Sequence, residues 1–73
     1  PNPTAGTIYI SGISESSLRI EWYDMGGRNL LWQTVQVQNG MVVLNPPFDS
    51  GVYVLRYNAP DGNTVARNII IRK

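Results

Sequence analysis

Apolar and polar residues alternate with a period of two along most of the chain, in short runs that recur about every ten residues. That is the pattern of half-buried strands, and no stretch shows helical spacing. Residues 7–11 place Ile8 and Ile10 on one face, and residues 17–23 turn Leu18, Ile20 and Trp22 inward with Arg19 and Glu21 outward. Residues 28–38 carry Leu30, Leu31, Trp32, Val35 and Val37. Their phase changes at Leu30-Leu31, which predicts a bulge or a strand that shifts between sheets, with a break near Gln33-Thr34. Residues 41–44, 52–57 and 64–71 are rich in β-branched or aromatic side chains and bring the expected total to six or seven strands.

The punctuation fits that count. Asp24 followed by Met25-Gly26-Gly27 offers a capping carboxylate and then residues that accept positive φ, so it should close a hairpin between Tyr23 and Arg28. Asn39-Gly40 is a two-residue signal of the same kind. Residues 58–63 contain Pro60, to preset φ, and Gly62, to take a left-handed conformation, so they should link the last two strands. Pro46-Pro47 cannot sit inside a central strand, which makes residues 45–50 a corner between sheets and Phe48 a plug at the open end. The expected fold is all-β: an Ig-like antiparallel β-sandwich with Greek-key connections.

Length limits what such a sandwich can do. At 73 residues it forms one small domain with a thin stability margin and no room for a deep catalytic cleft. With no cysteine it has neither disulfides nor thiolate metal sites, so apolar packing or a neighbouring domain must hold it together. With no histidine it lacks the commonest general base and metal ligand. A net charge of +1, with no basic run longer than Arg72-Lys73, gives no footprint for nucleic acid. Neither a signal-peptide pattern nor an apolar run long enough to span a bilayer is present, so membrane insertion is not expected. The opening Pro1-Asn2-Pro3 suggests a piece excised from a longer protein.

No catalytic constellation emerges. Asp24, Asp49 and Asp61 each lie one to three residues before a glycine, where turn capping explains them. The serines have no base within sequence reach and no nucleophile elbow, so the chain is expected to be no enzyme and to carry no cofactor or metal. Two features invite a binding reading. Trp22 is in phase with core residues, but Trp32 with Tyr9, Tyr23 and Tyr57 could form an exposed aromatic face of a carbohydrate-binding or adhesive module. At the other end of the chain, Arg67, Arg72 and Lys73 flank Asn68 and the isoleucines Ile69, Ile70 and Ile71. Such a greasy terminal strand is either covered, guarded by its cations, or read by a partner that adds a strand. Exposed edges also leave room for a dimer.

In order along the chain, Pro1-Asn2-Pro3 with Gly6, the segment Trp22-Tyr23-Asp24-Met25-Gly26-Gly27-Arg28, the strand that opens Gly51-Val52-Tyr53, and the closing residues 67–73 resemble the motifs of the C-terminal sorting domain of type IX secretion cargo. The resemblance covers essentially the whole chain. It implies an address carried at the end of a larger protein, residues 1–73 forming that single domain. Cargo of this family folds in the periplasm, and outer-membrane translocon and shuttle proteins pass it to the cell surface or medium. A sortase-like peptidase often removes the domain, here by a cut upstream of Pro1. Matched residue by residue, Pro1, Asn2 and Pro3 correspond to the opening motif, Asp24 and Gly27 to the central hairpin, Gly51 and Tyr53 to the third motif, and Lys73 to the terminal cation. Two places depart from the family pattern: Arg67-Asn68, where a lysine and an apolar residue are frequent, and Phe48, which follows a double proline.

Overall fold

A computed structural model describes residues 6–58 and 62–73. Six strands follow one another: β1 (Ile8–Ile10), β2 (Ser17–Tyr23), β3 (Asn29–Gln36), β4 (Val42–Leu44), β5 (Gly51–Asn58) and β6 (Thr64–Ile71). All pairings are antiparallel, in a four-stranded sheet of order β3-β2-β5-β6 and a two-stranded sheet, β1-β4. No helix occurs among the described residues. β5 returns to pair with β2 only after the chain has crossed to the other sheet, which is the return of a Greek key. The expected all-β sandwich is therefore present at the lower of the two strand counts.

β2 shows why the alternation was informative. It lies in the middle of the large sheet, so its inward residues Leu18, Ile20 and Trp22 are buried while Arg19 faces water. From the other strands Ile8, Ile10, Val42, Leu44, Leu55, Ile69 and Ile71 meet them in one core, with Ile13 from the loop after β1. Burying that many large aliphatic groups, each contributing about 1.5–3 kcal/mol, is what offsets chain entropy in a domain without cross-links.

Two readings of β3 separate here. The phase change at Leu30-Leu31 is real: Trp22 pairs with Leu31 and Tyr23 with Asn29, so Leu30 is the extra residue of a bulge. The Asn29 side-chain amide donates to the Trp22 carbonyl at 3.2 Å beside that bulge. The break expected near Gln33-Thr34 does not occur, since Arg19 pairs with Thr34 and Ile20 with Gln33 without interruption. Gln33 looked like a breaker because it is polar at a core-phase position. On an edge strand that position is only half-buried, so the amide stays solvated and the strand runs on.

Asn39-Gly40 makes the tight turn its composition predicts, with φ of 54° and 73° and reciprocal 3.0 Å bonds between Gln38 and Met41. The turn closes a single bridge and no longer hairpin, because β3 and β4 then diverge into different sheets. The corner over residues 45–50 crosses as expected. Pro46 is buried, and Phe48 meets Trp22 edge-on at 5.5 Å between ring centroids and stacks on Tyr53 at 4.8 Å. The turn expected over residues 58–63 falls partly on residues 59–61, outside the described residues. At its flanks Asn58 pairs with Thr64, whose hydroxyl donates to the Asn58 side-chain oxygen at 3.2 Å.

Candidate functional site

Strand register gathers most of the singled-out residues at one end of the sandwich. Tyr23 pairs with Val54, so the turn after β2 lies beside the start of β5; Gly51 pairs with Ile71, so the last residues of the chain lie there as well. Ile8 pairs with Leu44, which brings Gly6 and Thr7 to the corner that begins at Asn45. Side-chain bonds tie these pieces together. Thr7 Oγ1 donates to Asn45 Oδ1 at 2.9 Å, and the Lys73 backbone N–H donates to Ser50 Oγ at 2.8 Å. Gly6, at φ 122°, lies so close to the terminal side chain that a Cβ would come within 3.3 Å of Lys73 Cε.

Within this end, each motif has a visible local cause. Asp24 Oδ1 accepts from the backbone N–H groups of Gly26 at 3.0 Å and Arg28 at 2.9 Å, while Gly27, at φ 88°, donates to the Asp24 carbonyl. The N–H of Arg28 above all, then that of Gly26 and the Arg28 charge, holds the Asp24 carboxyl below the usual aspartate range. Arg28 Nε also sits 3.2 Å from Asp24 Oδ2. The carboxylate is thus occupied by its own turn. Tyr53 folds back over Gly51 and donates its hydroxyl to the Asp49 carbonyl at 2.8 Å, closing the corner that delivers the chain into β5.

The terminal strand divides by face. Ile69 and Ile71 are core residues, whereas Ile70 faces outward, half-buried opposite the exposed Val52. The expectation of a greasy outward terminal strand therefore holds for Ile70 alone. The register of β6 is uninterrupted from Thr64 to Ile71, so the departures at Arg67 and Asn68 do not disturb it. Arg72 and Lys73 are exposed just beyond the strand. Arg67 is not with them: it pairs with Leu55 in mid-strand and borders a groove between the sheets. Pro1, Asn2 and Pro3 lie outside the described residues.

The four aromatics do not share a face. Trp32 and Tyr23 lie outward on the large sheet, Tyr9 outward on the small one, and Tyr57 opposite Ile20 on the inner side. Trp32 is 57% exposed, but the Arg19 guanidinium already stands 4.4 Å over its ring. Around it, sequence reasoning missed a cluster. Glu21 accepts from Tyr23 Oη at 2.9 Å and lies 3.2 Å from Arg56 Nη2 and 3.4 Å from Arg19 Nε. The bond to Glu21 raises the Tyr23 phenol above its usual pKa, because ionisation would break it and set two negative charges together. The outward phase of Arg19, Glu21 and Arg56 was readable, but the register that joins them was not. Among the described residues no group of three or more acidic side chains could hold a metal ion.

The sequence pattern of the secretion system C-terminal sorting domain matches residues 1–72. The chain belongs to that family. No curated relative and no solved structure gives a significant match. The motif-bearing end of the sandwich is thus part of a sorting domain, a kind of domain that works through secretion machinery.

Proposed function

We propose that residues 1–73 are the C-terminal address of a larger cargo protein, read as a folded surface by the type IX secretion system. The family match across nearly the entire chain carries this reading. The partners are the outer-membrane translocon and its shuttle proteins, met in the periplasm, with delivery to the cell surface or medium. A sortase-like peptidase then cuts upstream of Pro1. The recognised surface is the motif-bearing end: the Asp24 to Gly27 turn, Gly51 and Tyr53 as its frame, the half-buried Ile70, and Arg72 and Lys73 as its exposed contacts; the opening motif Pro1-Asn2-Pro3 is read as part of the same signal. Its support is convergence, since segments far apart in sequence meet there through Thr7–Asn45, Ser50–Lys73 and Gly51–Ile71. Ile69 and Ile71 act by holding the last strand in place, and Arg67 belongs to a separate surface. Edge pairing of β3 or β6 would account for a dimer.

The experiment is a reporter fused to residues 1–73 and carrying Arg72→Glu with Lys73→Glu, expressed in a host with this secretion system. Both side chains are exposed, so the fold should persist. Loss of export with retained folding is the expected result, and unaltered export would remove the terminal cations from the recognised surface.

A further inference from the structure

The two sheets are unequal. Four strands face two, so among the described residues part of the inner side of β5 and β6 has no strand above it. At that place a groove of about 240 Å³ runs beside β1, lined by Ile8, Ile10, Leu55, Tyr57, Ile69 and Arg67. It is smaller than a typical small-molecule site of roughly 300–1,000 Å³, and its size suits one or two side chains. Among the described residues β1 pairs only with β4, which leaves the alternate backbone N–H and C=O groups of its other edge without a strand partner, on a strand that borders the groove.

Arg67 gives the groove its chemistry. Its register partner is the buried Leu55, so its side chain leaves the sheet on the inner side, at a position where the neighbours on β6 are Val65 and Ile69. No ion pair engages it among the described residues. A second copy of this chain is a poor occupant, because two-fold pairing of β1 with β1 would bring two Arg67 side chains to one groove. An anionic segment is complementary.

We propose that the free edge of β1 docks an extended segment of a partner protein that carries a carboxylate. The segment adds to β1 as a third strand, seats an apolar side chain between Leu55 and Ile69, and pairs its carboxylate with Arg67. Main-chain bonds supply the affinity and the two side chains the selectivity. The inference is independent of export and concerns a surface away from the motif-bearing end.

The test uses isotope-labelled chain and capped seven-residue peptides of alternating threonine and valine, with one glutamate moved along the sequence, and a matching lysine series. At least one glutamate peptide should shift the amides of Ile8, Tyr9 and Ile10, protect those that point away from β4, and shift the Tyr57 and Ile69 side chains. Its lysine counterpart should bind about fivefold more weakly, the effect of one partly exposed charge pair. Arg67→Glu should reverse that order, while the comparison on the unaltered chain needs no variant to fold. No binding across the glutamate series, equal affinity for both series, or perturbation confined to β3 or β6 would overturn the proposal. So would concentration-dependent self-association that protects β1, which would make a second copy the occupant.

Discussion

Tyr53 lies directly over Gly51, so that a Cβ at position 51 would meet the phenol oxygen at 3.1 Å. The glycine leaves the space the ring needs, and the ring uses it to bond the Asp49 carbonyl. Gly51→Ala must therefore displace the Tyr53 ring by a few tenths of an ångström and strain its bond to the Asp49 carbonyl. Weakening that bond should lower stability by up to about 1 kcal/mol. The two positions should also couple: in denaturant unfolding, Gly51→Ala should cost less in a Tyr53→Phe background, where no hydroxyl remains to collide or to lose. Additive costs would show that the glycine serves some other purpose.

The Asp24 turn gives a pH signature. Its carboxyl is held below the ordinary aspartate pKa, chiefly by the Arg28 N–H, so it contributes stability that is complete above the unfolded-state value. That contribution disappears as pH falls through the lower, folded value. Asp24→Asn should therefore be less stable than the parent chain at neutral pH, with the gap closing in acid. Parallel stability curves across the acid range would contradict the geometry of the turn.

The tryptophans predict opposite behaviour. Trp22 is fully buried at the centre of the core, and Trp22→Ala should cost about 3–5 kcal/mol, a large part of the stability of so small a domain. Trp32 is exposed beneath Arg19, so Trp32→Ala should cost only about 0.5–1 kcal/mol, and acrylamide should quench Trp32 alone. A fluorescence shift on adding polysaccharide, abolished by Trp32→Ala, would support the carbohydrate-binding alternative; an unchanged spectrum is expected.

Why some of this was legible and some not follows from particular residues. The alternation at Leu18, Ile20 and Trp22 is a property of one strand and survives without knowledge of its neighbours. Gln33 misled because its polarity is tolerated only at a sheet edge, and edge position is set by pairing. The Asn39-Gly40 turn was correctly read as a turn, but whether its flanks stay paired depends on what β4 meets, which is β1 and not β3. The Glu21 cluster and the groove beside β1 are both products of register and layer offset. No local pattern records them.

The terminal strand separates folding from recognition. Ile69 and Ile71 are buried, so truncating either to alanine should destabilise the domain by about 2–5 kcal/mol. Deleting residues 69–73 should abolish export chiefly by unfolding the domain. Arg72→Ala and Lys73→Ala should leave the melting temperature nearly unchanged, and any export defect they cause then reports on recognition. A large drop in melting temperature for these surface variants would contradict that division.

The localisation of a reporter is the most direct measurement. A periplasm-directed fluorescent protein ending in residues 1–73 should reach the surface or medium of a host with an intact type IX system, and should remain periplasmic when the translocon gene is deleted. Retention in the periplasm of the intact host, with the domain folded, would contradict the account.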